Sequence, residues 1–345
     1  MKVLITGAAG FLGSHILDRA LELGHEPHVI VRKSSNTKYI DSLAPRVTKH
    51  ISDLAHADGV AKACEGIDLI IHSAGRVTDH GLYEDFYKDN VVATENLLQG
   101  ARTHGVKQFV FVSSPSIFAA DEDHVLVDET IPYPKRYANY YAETKSISEQ
   151  AVLAANTPTL YTCSLRPRGI WGERDYNGFF PKLLTALYRG KLKDFAAGKK
   201  VHASVCHAKN IADACFQAAA HPDRTAGQAY FIADAENVYV WDLVDKVGSR
   251  LGLPKVGPPV NKAILNAAVS LIETIWALPF LRKNYSPPIS RYSLGMLTNH
   301  TTYSIAKAQK DFGYAPKYSM SKNLDDLIVW IEKEGGLKKY LGIKD

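Results

Sequence analysis

Tyr141 and Lys145 stand four residues apart in the run Tyr141-Ala142-Glu143-Thr144-Lys145. On a helix this spacing puts a phenol and an ammonium on one face, a turn apart. The lysine charge favours phenolate, so it is expected to pull the tyrosine pKa toward the working range and ready the hydroxyl for proton transfer. The same spacing recurs at Tyr303/Lys307, Tyr318/Lys322 and Tyr340/Lys344, so spacing alone selects nothing. Context selects the first. Only Tyr141 falls on a helix directly after the fifth of a series of strands, with Ser113, Ser114 and Ser116 at that strand's end 25 to 28 residues upstream. A serine there would give a reacting oxygen a second hydrogen bond. The other three tyrosines read as ordinary surface or packing residues.

A second chemical signal opens the chain. Thr6-Gly7-Ala8-Ala9-Gly10-Phe11-Leu12-Gly13 follows an apolar run and begins a helical stretch. Glycines so placed permit a tight turn, close approach to a pyrophosphate, and close helix–strand packing. The helix N-terminus adds free N–H groups and partial positive charge. The spacing is GxxGxxG rather than GxGxxG; its position between strand and helix makes it a dinucleotide site. At the end of the second strand an acidic residue would read a ribose hydroxyl. This chain has Arg32-Lys33 instead, two cations suited to a 2′-phosphate, so NADP(H) is expected ahead of NAD(H). Asp53-Leu54 after the third strand suits the adenine edge. Ser73-Ala74-Gly75 after the fourth suits close backbone approach to the cofactor.

These residues require a scaffold of alternating strands and helices. Apolar runs at 3–5, 28–31, 68–71, 108–112 and 160–165, with a fainter one at 47–51, alternate with helical stretches at 11–23, 56–64, 85–104 and 138–155. That pattern predicts a doubly wound parallel sheet of the α/β Rossmann type. After about residue 170 the regularity fades and Pro and Gly punctuate the chain. The expected organisation is a cofactor domain over 1–170 and a smaller, mostly helical substrate lobe over 171–345, partly interleaved with the sheet.

Composition bounds the function. The chain has 345 residues, 46% hydrophobic and 22% charged, which excludes collagen, coiled coil and a mostly disordered chain. A net charge of +5 does not favour nucleic-acid binding. Four cysteines without a CxxC pair read as reduced thiols. The histidines show no HExxH or other metal-ligand spacing, so no metal is expected. There is no GxSxG of a hydrolase. The first apolar run is too short for a signal-peptide core, so a cytoplasmic protein is expected.

TGAAGFLG, Asp53-Leu54, the HSAG segment at 72–75, Asn90 in DNVVATENLL, VSSPS at 112–116, YAETK at 141–145 and LRPRGIWGERD at 165–175 together resemble the extended short-chain dehydrogenase/reductase superfamily. Within it the chain looks most like the 3β-hydroxysteroid dehydrogenase family, including its bacterial 2-alkyl-3-oxoalkanoate reductases. The resemblance implies Tyr141 as catalytic acid or base and Lys145 as the holder of the nicotinamide ribose. It aligns Ser114 with the catalytic serine, with Ser113 and Ser116 as fallbacks. It implies that Gly7, Gly10, Phe11, Leu12, Gly13, Arg32, Lys33, Asp53, Leu54, Ala74, Gly75, Asn90 and Pro167 face the cofactor, and that the chain pairs as a homodimer. Ala93, Ala119 and Lys209 depart from the family pattern. The expected activity is interconversion of a ketone and a secondary alcohol on a hydrophobic substrate, of 3-oxo acid or sterol type. The alternatives are a nucleotide-sugar epimerase or dehydratase, and a non-catalytic NADP-sensing regulator.

Residues 263–281 form a 19-residue apolar run with one charge, Glu273. Mid-bilayer burial of that charge costs about 2.5–3.5 kcal/mol, so a membrane span is not expected. Flanked by Lys262 and Arg282-Lys283, the run reads either as a lid or as a peripheral contact with an anionic membrane surface. Arg168, Arg174 and Arg291 are candidates to meet a substrate carboxylate, against the plainer reading of structural salt bridges.

Overall fold

Residues buried on both faces of a sheet favour apolar side chains, and the central runs 3–5, 69–71 and 109–112 are apolar throughout, whereas the edge run Thr48–Ile51 is mostly exposed. The computed structural model describes residues 1–78 and 80–343, Pro279 by its backbone only. Seven strands, β1 (Lys2–Thr6), β2 (Glu26–Val31), β3 (Thr48–Ile51), β4 (Leu69–His72), β5 (Gln108–Val112), β6 (Tyr161–Pro167) and β7 (Gln228–Ile232), form one sheet. Its order is 3-2-1-4-5-6-7 and every pairing is parallel. This is the Rossmann order with one strand added. The expected fold class holds. The seventh strand was not expected from the sequence; its short QAYFI run lies beyond residue 170.

Alternation sorts the strand residues into two cores. Val3, Ile5, Ile71, Val110 and Val112 face one side, where Ile16 and Leu17 of α1 (Phe11–Glu22) pack. Leu4, Ile70, Phe109 and Phe111 face the other, against Leu97 and Leu98 of α2 (Ala93–Thr103) and Val152 of α3 (Tyr140–Ala154). Helix α4 (Ala208–Ala219) lies beside α1 and sends Ile211 and Cys215 into the first core. All four cysteines are buried free thiols.

The helical stretch expected over 85–104 is instead three pieces. Tyr83–Phe86 is followed by a π-helical turn, Tyr87–Val92, before α2 begins. The run at 263–281 also divides. α5 (Lys262–Trp276) ends before Pro279, and a short helix, Pro279–Asn284, follows. Proline cannot donate the backbone hydrogen bond that would continue α5. Helix α6 (Arg291–Thr298) then packs under α5, joined by the Arg291–Glu273 ion pair. No helix among the described residues is long and apolar enough to cross a membrane.

Candidate active site

The first strand delivers the phosphate loop to the sheet's switch point, between the ends of β1 and β4. Gly7 has φ +76°, and a Cβ there would stand 2.9 Å from the Ala74 nitrogen. Gly13 packs closer still: its Cβ would be 2.1 Å from the Gly7 carbonyl oxygen. Gly10 caps α1 without a side-chain hydrogen bond, which leaves the first helical N–H groups for an anion. The β4 loop is fastened to this one. Ser73 Oγ donates to the Thr6 carbonyl (2.8 Å) and the Ala74 N–H donates to Thr6 Oγ1 (3.2 Å). Arg32 and Lys33 are exposed just past β2 and pair with no carboxylate among the described residues. Asp53 Oδ1 accepts from the Ala55 N–H (2.9 Å), and the Leu54 carbonyl accepts from Asn96 Nδ2 (2.9 Å). A glycine cradle and an uncapped helix end fit the pyrophosphate of a nicotinamide dinucleotide.

Asn90 sits in the π turn, buried. Its Oδ1 accepts from the Arg76 N–H (2.7 Å), just after Gly75, and its Nδ2 donates to Thr144 Oγ1 (2.9 Å). Its carbonyl accepts from Thr94 Oγ1 (2.6 Å) and Ser148 Oγ (3.2 Å). The irregular turn thus ties the β4 loop to α3, an example of π geometry serving a site. A second tie fixes α3 to β6. Glu149, fully buried, accepts from Arg166 Nη2 (2.7 Å), Ser164 Oγ (2.7 Å) and the Tyr133 hydroxyl (2.7 Å). Removing one partner would strand a buried charge. Pro167, which the resemblance places beside the cofactor, ends β6 and is buried.

Asn139 Oδ1 accepts from the Ala142 N–H (2.8 Å) and starts α3 just before Tyr141. Tyr141 is 9% exposed, and the neighbouring Ser114 hydroxyl acts on it by favouring its ionised form. The Ser114 hydroxyl donates to Ser116 Oγ (2.9 Å), and Ser116 Oγ shares a hydrogen bond with the Tyr292 hydroxyl of α6 (2.6 Å). Ser113 Oγ is buried with no partner among the described residues. Of the three serines, Ser114 is the one that acts on Tyr141.

The electrostatics correct one expectation. Lys145 shares a helix face with Tyr141, but its ammonium turns to the sheet, donating to the Val112 carbonyl (2.6 Å) over the Phe111 ring (3.8 Å). Burial pushes the Tyr141 hydroxyl up from its ordinary value, opposed by the Ser114 hydroxyl, and Lys145 is not among the groups that move it. Burial in turn holds Lys145 down to about 7, with Glu149 opposing. His72, hydrogen-bonded to Thr6 and Thr94, is held neutral, down to about 3, by burial and then by the Lys145 charge. Desolvation outweighs the pairwise field in this pocket.

A cavity of about 620 Å³ opens beside these groups. Ser116 and Asn139 border it from the sheet side, and Trp276, Arg282 and Tyr292 from the helices between residues 262 and 298. Tyr303, read from sequence as an ordinary tyrosine, is buried against Phe231 and also lines it. Tyr318 instead stacks on His207, and Tyr340 is buried in a separate apolar core; Lys344 lies outside the described residues. The sequence did not mark Tyr292. No spacing relation joins it to Ser116, 176 residues away. Among the described residues no group of three or more His, Cys, Asp or Glu side chains could hold a metal.

A parallel sheet in this order, with a glycine cradle at its switch point and a Ser-Tyr-Lys cluster at the end of β5, defines an extended short-chain dehydrogenase/reductase. Comparison with known proteins gives the branch. The chain belongs to the 3-beta hydroxysteroid dehydrogenase/isomerase family, whose model matches residues 4–259. It is 32% identical over 329 residues to a 2-alkyl-3-oxoalkanoate reductase of Stenotrophomonas maltophilia, covering 94% of this chain and 97% of that one. It is 33% identical over 344 residues to a 3 beta-hydroxysteroid dehydrogenase/Delta 5-->4-isomerase of Mycobacterium tuberculosis, covering 95% and 90%. Among solved structures, gox2253 superposes with a TM-score of 0.77 at 25% identity, covering 96% and 98%. A UDP-galactose 4-epimerase reaches 0.73 at 22%, covering 97% and 100%, a likeness of fold alone. The chain is an enzyme of the dehydrogenase/reductase type.

Proposed function

We propose that this enzyme interconverts a ketone and a secondary alcohol on a hydrophobic substrate, of 3-oxo acid or sterol type, with NADP(H) in preference to NAD(H). The observation that carries the reading is the buried Tyr141–Ser114 hydroxyl pair next to a large cavity. The nicotinamide, when bound, supplies the hydride. The protein supplies the rest. The substrate carbonyl oxygen accepts hydrogen bonds from Tyr141 and Ser114, and Tyr141 gives it the proton. A tyrosine pushed up by burial is neutral at working pH, which is the form that reduction requires. Gly7, Gly10 and Gly13 would admit the pyrophosphate, Arg32 and Lys33 would meet the 2′-phosphate, and Lys145 would hold the nicotinamide ribose.

The relatives named above are a 2-alkyl-3-oxoalkanoate reductase and a 3 beta-hydroxysteroid dehydrogenase, and that supports a greasy ketone. An absorbance screen at the NADPH band tests this with steroid ketones, long-chain 3-oxo acids and UDP-sugars. Oxidation of NADPH with either ketone class is expected, and Tyr141→Phe should lower turnover at least ~100-fold. Near-normal turnover in that variant, or action on UDP-sugars alone, would refute the reading.

Two further features belong to this proposal. Helix α5 buries Leu265 and Val269 against Leu294, with Ser270 and Glu273 meeting Arg291 at the edge of that contact, and other apolar residues turn outward. Ile264 and Phe280 are each 68% exposed, and Leu271 and Leu278 are close behind. With Lys262, Arg282 and Lys283 alongside, this surface suits peripheral contact with an anionic bilayer. Flotation with anionic vesicles, retained by the full chain and lost on Leu271→Glu/Phe280→Glu, checks it. The homodimer expected of the family is checked by light scattering.

A further inference from the structure

The arginines around the site differ in how their charge is met. Arg166 pairs with Glu149 (2.7 Å), Arg174 with Asp18 (2.6 Å) and Arg291 with Glu273 (3.1 Å). Arg136, Arg168 and Arg282 line the cavity and pair with no carboxylate among the described residues; Arg136 is exposed and Arg282 lies over the Tyr140 ring (4.3 Å), which leaves Arg168 as the one set at the end of a sheet strand. Arg168 Nη2 donates to Thr301 Oγ1 (2.8 Å), and its charge acts on the neighbouring Tyr303 hydroxyl. Both neighbours are neutral and leave the charge uncompensated. The guanidinium is half-buried in the wall of the 620 Å³ cavity. A cation drawn part-way out of water without a counter-ion is unfavourable, and its planar fork matches a carboxylate.

Position makes this charge useful. Arg168 follows Pro167 at the end of β6, the strand beside β5, whose end carries Ser114. Ser116 and Tyr292 line the cavity with Arg168, and Ser116 Oγ lies 2.9 Å from Ser114 Oγ, so Arg168 faces the space that this hydroxyl line borders. Asn139 Nδ2 is an unspent buried donor in the same wall. Asp121 and Glu122 stand exposed at the cavity edge, and titration with UDP separates a single carboxylate from a polyanion.

We propose that Arg168 is a specificity-determining residue that clamps a substrate carboxylate, so that the ketone taken is an acid rather than a neutral sterol. This rests on the ketone/alcohol reading above, and the test separates the two. The first arm needs no turnover: calorimetry with decanoate, decanol and UDP on the full chain, its Arg168→Gln variant and its Arg168→Lys variant. Decanoate should bind more tightly than decanol, and Arg168→Gln should erode that preference at least ~10-fold. Arg168→Lys, which keeps the charge and loses the fork, should fall between and guards against misfolding. Equal affinity for decanoate and decanol in the parent protein overturns the proposal. So does an undiminished preference in Arg168→Gln, or UDP held through Arg168 more tightly than decanoate. The second arm follows oxidation of a long-chain 3-hydroxy acid and its methyl ester with NADP⁺. The acid-to-ester ratio of kcat/KM should drop at least ~30-fold in Arg168→Gln. Turnover with an unchanged ratio sinks Arg168 alone. No turnover, with decanoate selection intact, sinks hydride transfer and upholds the anion clamp.

Discussion

The Tyr292 hydroxyl lies 2.6 Å from Ser116 Oγ, and Ser116 Oγ lies 2.9 Å from Ser114 Oγ. Residues 176 positions apart therefore share one line of hydroxyls that ends at Ser114, the neighbour of Tyr141. Helix α6 thus helps to orient the serine at the end of β5. Removing one neutral hydrogen bond of this kind costs about 0.5–1.5 kcal/mol, so Tyr292→Phe should lower kcat about 3–10-fold. Ser116→Ala should do the same, and the double variant should lose little more, because both break one line. Fully additive losses in steady-state kinetics would show that the two act separately.

Lys145 makes stability depend on pH. Its folded pKa is held at about 7, below the ordinary 10.5, by burial. Between those values the unfolded chain binds more protons, so the lysine's contribution to stability rises with pH across the window. Below about 7 the full penalty of burying the ammonium is present. Urea titrations of the parent protein and Lys145→Met, at about pH 6.5, 8 and 9.5, should show the parent gaining on the variant as pH rises. A pH-independent difference would mean the ammonium is not desolvated.

Arg32 and Lys33 should set cofactor choice. Substituting both by alanine should weaken NADP(H) binding about 10–100-fold and leave NAD(H) within about threefold. Fluorescence titration of both reduced cofactors measures it. Equal loss for the two would assign these side chains to the surface only.

Gly13 has no room for a methyl group, since its Cβ would meet the Gly7 carbonyl oxygen at 2.1 Å. Gly13→Ala must push α1 away from the loop and should cost about 2–3 kcal/mol. Gly10→Ala, with 3.2 Å to the same oxygen, should be milder. Chemical denaturation of the two variants gives the order, and the reverse order would contradict the packing.

The cofactor half was legible because its signals are local. A glycine that needs positive φ, an apolar strand buried on both faces, and a phenol and ammonium a turn apart each leave a mark within a few residues. The π turn at Tyr87–Val92 left none, since its reason lies in the hydroxyls of Thr144 and Ser148. The edge strand Gln228–Ile232 was also hidden: five residues are too few for periodicity to separate from a turn.

Chain order by itself determined the sheet, the phosphate loop and which tyrosine of four stands at its edge. Only the tertiary structure decided that Lys145 turns to the Val112 carbonyl instead of its helix neighbour, that Tyr292 reaches Ser116, and that Arg168 is left without a carboxylate. Backbone periodicity is written in near neighbours. Burial and charge pairing depend on whatever other segments close around a side chain, and those lie up to 176 residues away.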